Sequence, residues 1–108
     1  MQGGARYCIY TGVFSWDARK AIANFEKHRI SFEEAATIFG DANALDGSDE
    51  EHSADEHRRQ RIGRSVAGRI VYVVYTVRRV DHEKETIRII SARQASRRER
   101  AAYSRLSD

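Results

Sequence analysis

The stretch from Ile70 to Val77, IVYVVYTV, carries apolar or aromatic side chains at both odd and even positions, so a strand formed from it has two hydrophobic faces. Such a strand belongs in the middle of a sheet, with neighbours on both edges. A chain of 108 residues, 41% of them hydrophobic, can supply one small domain around that sheet and no second core. The remaining segments must provide the flanking strands and the layer that covers them.

Residues 6–14, RYCIYTGVF, are rich in β-branched and aromatic types and read as a first strand, preceded by a leader loosened by Gly3 and Gly4. Trp16 and Asp17 mark a change of period. From there Ala18, Ala21, Ile22 and Phe25 follow helical spacing, which predicts a helix that buries this stripe, is capped by Asp17 and ends near His28. Ser31 and Glu34 form a capping-box pattern ahead of Phe32, Ala35, Ala36 and Phe39, with Gly40 placed as a left-handed cap, so a second short helix follows. Residues 42–45 are expected to form a brief strand, and DGSDEEHSADE a charged loop.

Arg58 to Arg64, RRQRIGR, is a polar strand suited to a sheet edge. Gly68 turns the chain into the Ile70–Val77 strand, Asp81–Lys84 makes a hairpin turn, and Thr86 to Ala92 returns as the last strand. Ser96 and Glu99 form a second capping-box pattern that opens a final helix. The expected fold is α+β: a small antiparallel sheet with two N-terminal helices and a C-terminal helix, as one domain over residues 1–108. Residues 1–13 are its leader and first strand.

Charge is polarised along the chain. Seven acids and no lysine or arginine lie between Asp41 and Glu56, whereas Arg88, Arg93, Arg97, Arg98, Arg100 and Arg105 face a single acid, Glu99. With a net charge of +3, the basic strand-to-helix junction from Thr86 to Tyr103 points to an anionic ligand, phosphate first. Arg93 closes the last strand and Arg97 and Arg98 open the helix, where amides and guanidinium groups can converge on one phosphate. A solvated basic face, or a contact for an acidic partner, is the competing reading.

His28 is a candidate proton carrier, because histidine changes charge near neutral pH, or else a side chain interacting with helix-terminal carbonyls. Lys20 and Lys27 are spaced to steer a polyanion from the first helix. Glu99 reads as a cap before it reads as a general base. Tyr103 either stacks on a base or packs under the helix, and Trp16 is expected in the core.

A single cysteine, Cys8, excludes an internal disulfide and is expected buried and inert in the first strand. The absence of a secretory pattern or a long apolar span leads us to expect a cytoplasmic protein without membrane contact. His52, His57 and His82 lack zinc-ligand spacing, and no phosphate-binding glycine loop, nucleophile elbow or dinucleotide fingerprint occurs, so neither metal nor cofactor is expected.

Three blocks carry a resemblance. Trp16-Asp17, Lys20, Asn24, Lys27-His28, Phe32, Glu34-Ala35 and Phe39-Gly40 form the first; Asp49, His52-Ser53, Glu56, Arg58 and Ile62-Gly63 the second; Ser91-Ala92-Arg93, Ala95, Arg97 to Arg100 and Tyr103 the third. In this order they resemble the BrnT-type toxins of bacterial type II toxin-antitoxin systems over roughly residues 14–105. The resemblance implies a RelE-like fold and a metal-independent endoribonuclease in which the ribose 2′-hydroxyl attacks the adjacent phosphate. It also implies neutralisation by a BrnA-type antitoxin, with DNA reached only indirectly through that antitoxin.

On this reading His28, Arg58, Arg93, Arg97 and Arg98 are the catalytic candidates, and Lys20, Lys27, Arg100 and Tyr103 contact RNA. The alternative is a non-catalytic module that binds RNA or protein through the same basic face. Two departures stand out: about a dozen extra residues before Trp16, and Arg59-Gln60-Arg61 in place of mostly apolar residues. The second either disturbs that strand's pairing or adds positive charge to the site.

Overall fold

The computed structural model describes residues 5–9, 12–48, 57–79 and 85–107. The described elements are β1 (Ala5–Ile9), β2 (Gly12–Trp16), α1 (Ala18–His28), α2 (Phe32–Thr37), β3 (Leu45–Ser48), β4 (Arg58–Arg64), β5 (Ile70–Arg79), β6 (Glu85–Gln94) and α3 (Arg97–Ser107). A 3₁₀ turn, Ile38–Gly40, continues α2. The Asp81–Lys84 turn, the Gly3-Gly4 leader, most of the acidic loop and the environment of the Cys8 side chain lie outside the described residues.

The strands form one sheet in the order β1-β2-β6-β5-β4-β3, and β5 is central as its two apolar faces require. Neighbours are antiparallel except β2 and β6, which pair in parallel with Phe14 opposite Ile87. The stretch expected as one strand is a hairpin of two, with Tyr7 opposite Phe14. After β2 the chain crosses through α1 and α2 to the far edge and returns through β3, β4 and β5 to β6. β4 is therefore not the edge strand its polarity suggested; β3 covers it.

Alternate residues of β5, Val71, Val73 and Tyr75, join Phe14, Trp16 and Ile89 in a core covered by Ile30, Phe32, Ala35, Ala36 and Ile38. Trp16 meets Phe32 edge-on at 5.8 Å, and Phe39 bridges Phe14 and Tyr75 at 5.3 and 4.9 Å. Trp16 is a core anchor. Gly63 lets the helical layer descend onto β4: a Cβ there would stand 3.0 Å from the Ile38 side chain.

Asp17 caps α1 by accepting from the amides of Arg19 and Lys20 at 2.8 and 3.2 Å. The buried stripe differs from the expected one, since Ile22 is 61% and Phe25 43% exposed. The helix is rotated so that Asn24 faces the sheet, where its carboxamide donates to the Ala92 carbonyl (2.8 Å) and accepts from the Ala92 amide (3.1 Å). At the C-terminus Arg29 takes the left-handed conformation, φ 61°.

Ser31 accepts from the Glu34 amide at 3.0 Å, but the Glu34 carboxylate turns away to Arg69 and Ser65, so the box is half made. Gly40 closes the 3₁₀ turn without a left-handed backbone, and Asp41 follows in extended conformation. Gly68, φ 90°, makes the turn between β4 and β5.

Candidate nucleic-acid interface

The chain leaves the sheet at Gln94. The Ala95 amide donates to the Ile70 carbonyl at 2.9 Å, which pins the exit to the start of β5. Ser96 and Glu99 then close a full reciprocal box: the Glu99 amide donates to Ser96 Oγ (3.1 Å) and the Ser96 amide to Glu99 Oε1 (2.8 Å). The same carboxylate accepts Arg93 Nη1 at 2.9 Å and Nη2 at 3.0 Å. Burial opposes ionisation of Glu99, but the Arg93 and Ser96 donors outweigh it and hold the carboxyl below its ordinary range. That commitment leaves Glu99 poorly suited to act as a base.

Arg93 stands opposite Tyr72 in the β5–β6 register, and its guanidinium carbon lies 4.1 Å from the centre of the Tyr72 ring. The Tyr72 hydroxyl in turn donates to Gln60 Oε1 on β4. Arg97 and Arg98 are exposed in the first turn of α3, beside the Arg93–Glu99 pair. Arg100, also exposed, folds back to donate to the Ala95 carbonyl at 2.9 Å.

From this junction α3 reaches across the end of the sheet towards β4. Tyr103, 5% exposed, donates its hydroxyl to the Asp41 carboxylate at 2.7 Å. That carboxylate also accepts the Arg64 amide at 2.8 Å. Burial raises the carboxyl of Asp41, yet these donors with the Asn43 amide bring it below its ordinary value. Tyr103 thus packs and anchors; its ring is not a free stacking face.

His28 stands at the same end of the sheet but in the helical layer, whereas Arg93, which alternates with the core-facing Ala92, lies on the opposite face. α1 runs beside β6, tied at Asn24 to Ala92, and just past His28 the Arg29 carbonyl accepts from Arg69 at 3.1 Å, next to the start of β5. Lys27 lies exposed in that last turn; Lys20, also exposed, is about 10 Å back along the helix. Arg58 is elsewhere. It begins β4, six residues from Arg64 and so about 20 Å along the strand from the end that α3 covers.

Arg59 and Arg61 alternate with Gln60 and point to the helical side. Both pair with Asp46, at 2.6 and 3.0 Å, and the Arg61 guanidinium lies 5.1 Å from the Phe39 ring centre. Pairing of β4 with both neighbours is continuous, so the polar strand neither breaks the sheet nor adds charge to the junction. Among the described residues no cluster of three metal-ligating side chains occurs. His57 is exposed, and His52 and His82 lie outside the described residues.

Sequence reasoning missed Tyr72 and Gln60, and held Asn24 as part of the family pattern without its tie to Ala92. Tyr72 was visible as a strand residue, but its place under Arg93 follows from the β5–β6 register alone.

A mixed sheet crossed at one end by an arginine-rich helix matches a known class. Residues 16–99 fit the family model described as the ribonuclease toxin BrnT of type II toxin-antitoxin systems, and the chain belongs to that family. Among solved structures it is similar to the Brucella abortus ribonuclease toxin BrnT, with 25% identity and a TM-score of 0.54 over 76% of this chain and 94% of that one. No curated protein sequence matches it. The family match begins at the last residue of β2 and ends in the first turn of α3.

Proposed function

We propose that this chain is an endoribonuclease toxin that cleaves cellular RNA in the cytoplasm, stops translation and growth, and is held inactive by a BrnA-type antitoxin. The antitoxin also carries any contact with DNA. The observation that supports this reading most is the clustering in sequence of Arg93 at the end of β6 with Arg97 and Arg98, both exposed, in the first turn of α3; His28 lies at the same end of the sheet but on its helical face.

The nucleophile is the substrate's own 2′-hydroxyl, so the reaction requires no metal ion. Arg93, Arg97 and Arg98 hold the phosphoryl oxygens as negative charge develops on them. His28 carries a proton, either from the 2′-hydroxyl or to the departing 5′-oxygen. Lys20, Lys27 and Arg100 draw the RNA backbone to this end. Tyr103 acts indirectly by fixing α3, and Arg58 is too far along β4 to share the same phosphate.

The test uses purified, antitoxin-free protein and RNA in the presence of a chelator. Cleavage leaving 2′,3′-cyclic phosphate and 5′-hydroxyl ends is expected. Arg93→Ala is expected to slow it by about 10²–10³-fold and His28→Ala by about 10²-fold or more. RNA that is bound but left intact by folded protein would favour the binding-module reading; undiminished cleavage by both variants would remove these two assignments.

A further inference from the structure

The pairing of Arg93 with Glu99 looks at first like neutralisation, yet the count of donors says otherwise. A guanidinium has five N–H groups in a fixed plane. Here Nη1 donates to Glu99 Oε1 (2.9 Å) and to the Gln94 carbonyl (3.2 Å), and Nη2 donates to Glu99 Oε2 (3.0 Å). Three donors are used, which leaves Nε–H and one Nη2–H. Those two lie on the same edge of the guanidinium, parallel to each other.

No hydrogen bond to that edge occurs among the described residues, and the Arg93 side chain is 38% exposed. We propose that Glu99 and Tyr72 are positioning residues that lock Arg93 so that its Nε–Nη2 edge forms a preset two-pronged site for a substrate phosphate. Glu99 fixes rotation within the guanidinium plane. Tyr72 supports the plane from beneath with its ring, while its hydroxyl donates to Gln60. A phosphate offers two oxygens at the spacing of such an edge, and a guanidinium already immobilised loses little side-chain freedom on binding.

The inference rests on the assignment of Arg93 to the scissile phosphate, and the variants separate the two. Glu99→Gln preserves a capping-box partner for Ser96 while removing the charged fork. Tyr72→Leu removes the ring, and Tyr72→Phe keeps it. Arg93→Lys keeps the charge without the edge. Each is assayed for RNA cleavage as the full chain and for binding to a 2′-O-methyl RNA, with circular dichroism melting to confirm folding.

Glu99→Gln and Tyr72→Leu are expected to lower kcat by about 10–100-fold, the scale of a displaced positioning contact, with little change in KM. Tyr72→Phe is expected to stay within severalfold of the parent. Arg93→Lys should retain the salt dependence of RNA binding, whereas Arg93→Ala should reduce its logarithmic slope by about 0.7; neither should cleave at more than about 1% of the parental rate. If Arg93→Ala is inactive while Glu99→Gln and Tyr72→Leu cleave at the parental rate, or if Arg93→Lys restores cleavage, the preset edge is overturned and the role of Arg93 stands. If Arg93→Ala itself cleaves normally, the underlying assignment falls and the edge falls with it.

Discussion

Asn24 has no apolar surface to bury, yet it decides how α1 sits. Its carboxamide closes both hydrogen-bonding groups of Ala92 and also donates to the Ile30 carbonyl at 3.1 Å. Replacement by leucine, similar in size, would leave the Ala92 amide and two carbonyls without these partners inside the packed layer. Asn24→Leu is therefore expected to lower the unfolding free energy by about 2–3 kcal/mol, the cost of stranding buried polar groups. Urea denaturation measures it; a loss below about 0.5 kcal/mol would show that the carboxamide is dispensable. Nothing in the local sequence marks Asn24 for this work, because its main partner is 68 residues away. Glu34 teaches the same lesson. Local spacing predicts a capping box, but Arg69, 35 residues on, offers its carboxylate a charged fork that the Ser31 amide cannot match.

Elements whose signals are local were legible. The two-faced apolar run is the central β5, Asp17 starts α1, and the Ser96–Glu99 spacing produces a complete box at the start of α3. The orientation of α1 was not. Helical spacing groups Ala18, Ala21, Ile22 and Phe25, yet the tie from Asn24 to β6 turns Ile22 outward. Ile22→Gln is accordingly expected to change stability by less than about 0.5 kcal/mol, where a core isoleucine would cost several times more. A loss above about 2 kcal/mol in the same denaturation assay would restore the stripe as a buried face. The basic junction was legible as charge and position, but its geometry was not: that Arg93 is held from two sides depends on a helix cap and a cross-strand neighbour at once.

At the scale of the molecule, the parallel pairing of β2 with β6 follows from the crossover of the helices and has no signature in either strand alone. What ties the layers together polarly is a set of carboxylates. Glu34 joins α2 to Arg69 and Ser65, Asp46 joins β3 to β4 and to Tyr75, Asp41 joins the helical layer to β4 and α3, and Glu99 joins α3 to β6. The Arg69 bonds hold Glu34 below its ordinary 4.5, and in Asp46, despite burial, the Tyr75, Arg59 and Arg61 donors do the same from 3.8. Asp41 and Glu99 are depressed as well. A carboxylate with a folded pKa below its unfolded value adds stability above the unfolded value and loses it as pH falls through the folded one. All four therefore act in the same direction, and the melting temperature is expected to fall steeply from about pH 5 downward. At the other end, Tyr75 and Tyr103 are raised above 10.0, Tyr75 chiefly by burial and by its bond to Asp46, Tyr103 by burial and by Asp41. Each keeps its hydroxyl protonated in the fold, so their contribution holds below the unfolded value and disappears as pH rises beyond it. Melting followed by circular dichroism across pH 3–11 should thus give a plateau bounded on both sides, while a melting temperature unchanged down to pH 3 would mean that these carboxylates do not hold the layers together.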